Sequence, residues 1–177
     1  MDLQNKCQRI ELLLSDVDGV MTDGFIAYDN QGIETKRFPV RDGVGIKLWQ
    51  KAGNRFGIIT QRSSHAVRIR AGELEVDLVR QGSEDKTSTL HEIVDRLDLG
   101  LEQVAYIGDD LPDLPVIRLV GLGVAVADAA EEVRSAADHV TSTPGGRGAV
   151  RETVETILKN QGRWDDLIRS YVGTAEQ

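Results

Sequence analysis

The sequence has little that would crosslink the chain or anchor it in a membrane. Its 177 residues include one cysteine, Cys7, and no apolar run of the roughly 18 residues that a membrane span needs. A single cysteine excludes an internal disulfide and fits a reducing compartment, so we expect a cytoplasmic protein. The polar N-terminal stretch lacks the basic-then-apolar order of a signal peptide. No membrane partner is expected.

Positive charge is also scarce. The chain has 21 Lys and Arg against 29 Asp and Glu, for a formal net charge of -8. An acidic chain is a poor general binder of nucleic acid, so we expect no nucleic-acid partner. The same charge would repel a phosphorylated ligand unless a metal ion or local basic groups reversed the field.

Short apolar runs alternate with longer amphipathic segments. Strands are predicted at residues 10–15, 56–60, 76–80, 104–107 and 122–126, with a short sixth at 139–141. Helices are predicted at residues 43–51, 64–74, 86–97, 111–119, 129–136 and 149–160. Apolar runs of this kind are typical of buried parallel strands. The alternation predicts an α/β fold, a doubly wound, Rossmann-like parallel sheet covered on both faces.

Two parts of the chain depart from this rhythm. Residues 25–28 and 36–40 flank turn-forming residues at 29–32, which predicts a β-hairpin inserted after the first strand. Residues 161–177 are polar and predict a C-terminal tail outside a core of about residues 10–160. The length suits a single domain over residues 1–177.

Acidic and hydroxyl residues follow several of the predicted strands. Asp16 and Asp18 follow the first strand, Thr60 ends the second and Asp109 follows the fourth, while Lys86 opens a helix. In open α/β sheets, ligands bind at the carboxyl ends of the strands. Clustered carboxylates repel one another unless a cation lies between them, and Mg²⁺ prefers hard oxygen ligands. We therefore expect a magnesium site, with Asp16 and Asp109 as side-chain ligands and the backbone carbonyl of Asp18 as a third.

These residue types suit transfer of a phosphoryl group. A carboxylate such as Asp16 can attack phosphorus to form an aspartyl-phosphate. Asp18, two residues on, can protonate the leaving alcohol and then activate water. The Thr60 hydroxyl and the Lys86 ammonium can stabilise the phosphoryl oxygens. The sequence thus predicts four catalytic residues: Asp16, Asp18, Thr60 and Lys86.

Four motifs, in order along the chain, resemble those of the haloacid dehalogenase superfamily of phosphatases. They are DVDGV at residues 16–20, IIT at 58–60, Lys86, and GDDLPD at 108–113. A narrower resemblance, to 3-deoxy-D-manno-octulosonate 8-phosphate phosphatases, rests on residues 16–24, 40–45 and 145–152. It implies a cytoplasmic, magnesium-dependent homotetramer that hydrolyses this small phosphorylated sugar acid. One departure is Gln61, where the family usually has glycine.

The resemblance also bears on substrate contacts and on the cover of the site. It makes Arg41, Arg62, Arg70 and Arg147 candidate substrate-binding residues, although each could be an ordinary surface charge. Many superfamily members carry a cap domain, and the spacings between the motifs leave no room for one. The missing cover must come from a neighbouring subunit, or the substrate must be large. The hairpin carries apolar residues that a monomer would struggle to bury, namely Phe25, Ile26, Ile33 and Phe38. We therefore expect a homotetramer in which the hairpins pack together and a neighbouring subunit completes the site.

Other functions fit parts of this pattern. Related phosphatases act on nine-carbon sugar-acid 9-phosphates, and related non-catalytic assembly domains follow sialic-acid cytidylyltransferases. A signalling receiver domain also combines acidic residues, Thr and Lys on a doubly wound sheet. Its phosphorylated aspartate ends the third strand, however, where this chain has Gln81, Gly82 and Ser83. The pair of Asp16 and Asp18 favours hydrolysis over a stable phosphorylated signal.

Overall fold

A six-stranded parallel sheet forms the centre of the protein. The structure is a computed structural model that describes residues 2–172. The strand order is β5-β4-β1-β6-β7-β8, and every pair is parallel. These strands are β1 Leu12–Ser15, β4 Arg55–Thr60, β5 Leu78–Gln81, β6 Val104–Gly108, β7 Leu122–Ala125 and β8 His139–Val140. The predicted α/β architecture is confirmed.

Helices cover the sheet in two packed groups. One contains α1 Leu3–Cys7, α2 Val40–Lys51, α7 Ala149–Asn160 and α8 Trp164–Val172; the other contains α4 Lys86–Leu97, α5 Leu114–Leu119 and α6 Glu131–Ala136. Helix α3 His65–Glu73 connects β4 to β5, and short 3-10 turns span Leu101–Gln103 and Leu111–Asp113. The single helix predicted at 111–119 is therefore wrong in its first turn. Pro115, which has no N–H to donate, falls in the first turn of α5, where proline is tolerated.

The central strand explains why the polar residues meet. In β1, Leu12, Leu13 and Leu14 are completely buried between β4 and β6. Its last residue, Ser15, is in register with Ile58 of β4 and Ile107 of β6. The residues that follow these three positions therefore share one edge of the sheet.

The predicted third strand is displaced along the chain. It was expected at 76–80, whereas β5 covers Leu78–Gln81. The Val76 N–H donates to the Ala71 carbonyl at 2.9 Å, which closes the C-terminal turn of α3. Glu75 lies in this turn with φ +55°. Val76, which the apolar pattern assigned to the third strand, therefore belongs to the turn that ends α3.

The insert after β1 is an antiparallel hairpin. Its strands are β2 Ala27–Tyr28 and β3 Glu34–Thr35, so the second arm predicted at 36–40 lies too far along the chain. Asp29 Oδ1 accepts hydrogen bonds from the amides of Gln31 and Ile33 and so closes a longer turn than predicted. Phe25 is 78% exposed, whereas Phe38, also expected to need a partner, packs partly against the core.

The predicted polar tail is partly helical. Helix α8 spans Trp164–Val172, and Trp164 and Leu167 pack against the core. The Arg163 guanidinium donates to the Ala52 carbonyl of the same chain. Residues 173–177 of the predicted tail lie outside the described residues. Within residues 2–172, no helix is both long and apolar enough to cross a membrane.

Candidate active site

The loops after β1 and β6 pack tightly together. Asp16 directly follows β1, and its N–H donates to the Ile107 carbonyl of β6 at 3.1 Å. Gly19 has φ +91°, and a Cβ at this position would overlap the Asp109 carboxylate. Only glycine fits both the backbone conformation and the space. The turn thereby keeps the acidic residues of the two loops within reach of each other.

These loops and the end of β4 surround a cavity of about 250 Å³. It is lined by Asp16, Asp18, Gly24, Thr60, Gln61, Arg62, Lys86, Asp109, Asp110, Pro112 and Asp113. All four predicted catalytic residues and the predicted ligand Asp109 therefore lie around one cavity. Thr60 is buried at the end of β4, as expected for a hydroxyl at the base of the site.

A buried network fixes Lys86 beneath this cavity. Its Nζ donates to Asp113 Oδ1 at 2.6 Å and lies 3.1 Å from Asp16 Oδ1. The Tyr106 hydroxyl also donates to Asp113 Oδ1, at 2.6 Å. Burial opposes a charge on Lys86, but the carboxylates of Asp16 and Asp113 outweigh it and hold the pKa of Lys86 above its usual value. Lys86 is therefore a cation directed at Asp16.

Asp113 orients this network. Its second oxygen, Oδ2, accepts hydrogen bonds from the backbone N–H groups of Asp109, at 2.9 Å, and Asp110, at 3.3 Å. Each oxygen thus receives two donors, and the carboxylate is almost fully buried. This satisfies the group within the protein. Asp113 is therefore placed to position Lys86 and the Asp109 loop rather than to bind an ion.

A negative charge on Asp16 or on Asp109 is poorly compensated by the protein alone. Burial and the nearby Asp113 carboxylate raise the pKa of Asp16 to about 6. Burial, with Asp113 and Asp16, raises the pKa of Asp109 to about 8. Oxygens of Asp16, Asp109 and Asp113 lie within 4.8 Å of one another.

The surroundings of Asp16 Oδ1 indicate whether these residues fit a metal ion. This oxygen is buried and accepts no hydrogen bond from residues 2–172. Lys86 Nζ lies 3.1 Å from it, but that ammonium group also compensates Asp113, so two buried carboxylates share one cation. The donors are all oxygens, which suits Mg²⁺ rather than a metal that prefers nitrogen or sulfur. Asp16 and Asp109 would hold the ion, and the Asp18 carbonyl stays a predicted third ligand.

Asp18 does not join the carboxylates of Asp16 and Asp109. Its Oδ1 accepts from Lys36, and its Oδ2 lies 3.6 Å from Nε of Arg62. Lys36 lies in the segment that follows β3 and was not predicted as a site residue from the sequence. No local pattern distinguishes it, because its partner is 18 positions away. Tyr106 was also not predicted as a site residue. Its hydroxyl lies within an otherwise apolar buried strand, and this could have indicated a polar partner nearby.

Comparisons with known proteins fit this arrangement. Residues 63–151 match the family model described as haloacid dehalogenase-like hydrolase. Over 165 residues, the chain is 43% identical to the 3-deoxy-D-manno-octulosonate 8-phosphate phosphatase of Escherichia coli, covering 93% of this chain and 88% of that protein. The chain belongs to the haloacid dehalogenase-like hydrolases.

Solved structures resemble the whole fold. A probable YrbI family phosphatase from Pseudomonas syringae matches with a TM-score of 0.95 and 46% identity, covering 97% of this chain and 98% of that one. The 3-deoxy-D-manno-octulosonate 8-phosphate phosphatase of Moraxella catarrhalis, solved with magnesium ion, phosphate ion and KDO, matches with a TM-score of 0.93. It is 42% identical, covering 95% of this chain and 97% of that one.

Unlike many haloacid dehalogenase-like hydrolases, this chain has no cap domain among the described residues. Only the hairpin and α2 lie between β1 and β4, and only α3 and β5 lie between β4 and α4. The lining of the cavity therefore comes from the loops that follow the strands, with Lys86 and Gly24, and from no separate domain among the described residues. This confirms the absence of a cap that the spacings predicted.

The four candidate substrate-binding arginines of this hydrolase are dispersed. Arg62 lines the cavity, and hydrogen bonds to Glu34 and Tyr28 raise the pKa of its guanidinium above the usual value. The other three do not line it: Arg41 is exposed on α2, Arg70 pairs with Glu73 at 3.0 Å on α3, and Arg147 borders a separate surface cavity. Of these four arginines, only Arg62 is placed for contact with a ligand in the cavity, and the roles of the other three stay predictions.

Proposed function

We propose that this protein is a magnesium-dependent phosphatase that hydrolyses 3-deoxy-D-manno-octulosonate 8-phosphate. The observation that carries the proposal is the convergence of Asp16, Asp109 and Lys86 on one cavity, where the buried Asp16 Oδ1 accepts no hydrogen bond from residues 2–172 and shares the Lys86 ammonium with Asp113. The names of the relatives at 43% identity supply the substrate. In this role the ion offsets the charge of the phosphate and of the clustered carboxylates.

The proposed first step is attack by an Asp16 carboxylate oxygen on phosphorus. A phosphorus–oxygen bond forms to Asp16 as the bond to the sugar alcohol breaks, which leaves an aspartyl-phosphate. Lys86, held by Asp113, and the Thr60 hydroxyl stabilise the phosphoryl oxygens during transfer. Asp18 gives its proton to the departing alkoxide.

The proposed second step returns the enzyme to its starting state. Asp18, now a carboxylate, takes a proton from water as the water oxygen attacks phosphorus. The bond between phosphorus and Asp16 breaks, and inorganic phosphate is released. Asp18 ends the cycle protonated, as it began, so protons balance over the two steps.

A substrate panel tests the proposal. Phosphate release would be measured with magnesium on the eight-carbon 8-phosphate, on nine-carbon sugar-acid 9-phosphates and on p-nitrophenyl phosphate. We expect the highest kcat/KM on the eight-carbon substrate. A higher kcat/KM on a nine-carbon sugar-acid phosphate would change the proposed substrate but not the proposed reaction. No turnover of any substrate would favour the non-catalytic assembly domain.

The exposed hairpin supports a proposal about assembly. Phe25, Tyr28 and Ile33 are each more than half exposed, and a monomer would leave this apolar surface in water. We propose a cytoplasmic homotetramer in which hairpins pack together and a neighbouring subunit completes the site. A fully active monomer in light scattering at assay concentration would overturn it. Deleting residues 161–177 tests whether the C-terminal segment takes part in recognition; unchanged kcat/KM would exclude that role.

A further inference from the structure

The carboxylate of Asp18 is held by two cations from different segments. Lys36, on the hairpin, donates to Oδ1, and Arg62, after β4, approaches Oδ2 to 3.6 Å. The Lys36 side chain is only 1% exposed, whereas that of Arg62 is 44% exposed. Lys36 is therefore the more enclosed of the two contacts. A buried ammonium is tolerated only where carboxylates compensate it.

A second carboxylate joins the two cations. Glu34 accepts a hydrogen bond from Arg62 at 2.8 Å, and one of its oxygens lies 3.4 Å from Lys36 Nζ. The four side chains of Asp18, Glu34, Lys36 and Arg62 thus alternate in sign. The network links the hairpin to the loops after β1 and β4, and each member restricts its neighbours.

Asp18 needs such support, because no other group within residues 2–172 makes a hydrogen bond or an ion pair with its carboxylate. It lies beyond the end of β1, just before Gly19 with its φ of +91°. The buried network of Lys86 and Asp113 does not include it. A carboxylate on a loop can occupy several rotamers, and proton transfer requires one defined position. The hairpin itself is mostly exposed, so core packing does not explain why Lys36 is buried.

We propose that Lys36 is a positioning residue that holds the Asp18 carboxyl group towards the leaving oxygen. This inference rests on the proposed function, in which Asp18 transfers protons. The hairpin then has a role in its own active site, separate from any contact between subunits. The competing interpretation is that Lys36 binds the phosphate directly. The two differ in their kinetics, because phosphate binding affects every phosphate ester whereas proton donation affects only poor leaving groups.

The variants for the test are Lys36→Met, Lys36→Arg and Lys47→Met. Methionine keeps most of the aliphatic length and removes the charge, and arginine restores a cation. Lys47→Met removes the exposed ion pair with Glu75 and is the matched control. Melting temperatures would be recorded for each. Should Lys36→Met fail to fold, Lys36→Gln carries the same readouts.

The first readout is kcat/KM, which reports the steps up to departure of the leaving group. On the sugar-acid phosphate, we expect Lys36→Met to lose about 10- to 100-fold, with KM little changed. On p-nitrophenyl phosphate the loss should be about tenfold smaller, because p-nitrophenolate leaves without protonation. Lys36→Arg should recover part of the loss, and Lys47→Met should stay within about twofold. Equal losses on both substrates, or an effect on KM alone, would overturn the proposal.

The second readout does not depend on turnover. In a crystal structure of Lys36→Met, we expect the Asp18 carboxylate to rotate or to occupy more than one rotamer. A single Asp18 rotamer, identical to that in the wild type, would overturn the positioning role. If the wild type hydrolysed neither substrate, the proposed function would fail, and the Asp18 rotamer would still decide whether Lys36 positions it.

Discussion

Lys86 donates a hydrogen bond of 2.6 Å to Asp113, although 27 positions separate the two residues. Both side chains are almost fully buried, and the Asp16 carboxylate lies 3.1 Å from the same ammonium group. Asp113 also receives the Tyr106 hydroxyl and the two backbone amides at 109 and 110. One carboxylate therefore fixes the cation, the loop after β6 and, through the cation, the proposed nucleophile.

Asp113→Asn tests this relationship. An amide replaces one accepting oxygen by a donor, which would face either the ammonium or the two backbone N–H groups. We expect kcat to fall at least tenfold and the free energy of unfolding to fall by about 2–4 kcal/mol, because a buried charge pair is broken. Urea denaturation and steady-state kinetics measure the two effects.

Asp110→Asn is the matched control for stability. Asp110 is exposed, and asparagine can still accept the Leu111 N–H that its side chain now binds. We expect its free energy of unfolding to lie within about 0.5 kcal/mol of the wild type. Equal destabilisation by both substitutions would contradict the special position of Asp113.

Magnesium binding is expected to release protons. Without metal, the raised pKa of Asp109, about 8, leaves that carboxyl mostly protonated at pH 7, while Asp16, at about 6, is mostly ionised. The ion binds the deprotonated forms, so about one proton should leave near pH 7. Affinity should then rise about tenfold per pH unit between pH 6 and pH 8.

Calorimetric titration in buffers of different ionisation enthalpy counts the released protons. Asp42→Asn is the control, since Asp42 does not line the cavity, and it should release as many protons as the wild type. An affinity that does not change between pH 6 and pH 8, with no proton released, would contradict the assignment of Asp16 and Asp109 as ligands.

Asp42 should make the fold less stable as pH rises. Its Oδ1 accepts the Arg151 N–H at 2.8 Å, while its Oδ2 has no hydrogen-bond partner in the described part of the chain. Burial raises its pKa from 3.8 to about 6, against the opposing effect of the Arg151 amide and nearby arginines. The native state therefore binds the proton more tightly than the unfolded state. The stability that protonation gives is complete below about pH 4 and is lost as pH rises through 6.

The corresponding measurement compares Asp42→Asn with the wild type from pH 4 to pH 7. Asparagine cannot ionise, so the difference in unfolding free energy should shift by about 2–3 kcal/mol in favour of the variant over this range. The shift with pH is the prediction, whatever the absolute effect of the amide. A difference that stays constant from pH 4 to pH 7 would show that Asp42 is not desolvated as the structure indicates.

The sheet and most of the site could be predicted because their signals are local. Apolar runs marked β1, β4 and β6, and polar residues directly after them had to meet once these strands paired in parallel. The hairpin register could not be read in the same way, because the Asp29 turn lengthens the loop and shifts β3. Helix α8 was missed because residues 161–177 were assigned together as a polar tail, although Trp164 and Leu167 are spaced as on one helix face.

The contact between Lys36 and Asp18 could not be predicted at all. The contact depends on how the exposed hairpin lies against the loop after β1, and the spacing of apolar residues in the sequence does not predict that arrangement. The roles of Arg41, Arg70 and Arg147 stay predictions, because these residues do not line the cavity.

Asp18→Asn should slow both proposed steps. An amide can neither protonate the sugar alkoxide nor accept a proton from water, so kcat should fall by about 100-fold or more. The phosphorylated protein should then accumulate and appear in intact-mass spectra as a covalent phosphoryl adduct. Wild-type activity on the sugar-acid phosphate would remove Asp18 from the acid–base role.

The most direct test of the account is phosphate release from 3-deoxy-D-manno-octulosonate 8-phosphate by the wild type and by Asp16→Asn, each with magnesium and with excess chelator. The control is Asp95→Asn, which changes an exposed residue of α4 that does not line the cavity. We predict turnover by the wild type and the control only with magnesium, and none by Asp16→Asn although it folds normally. Release by Asp16→Asn above a few per cent of wild type, or undiminished release by the wild type under chelation, would contradict the account.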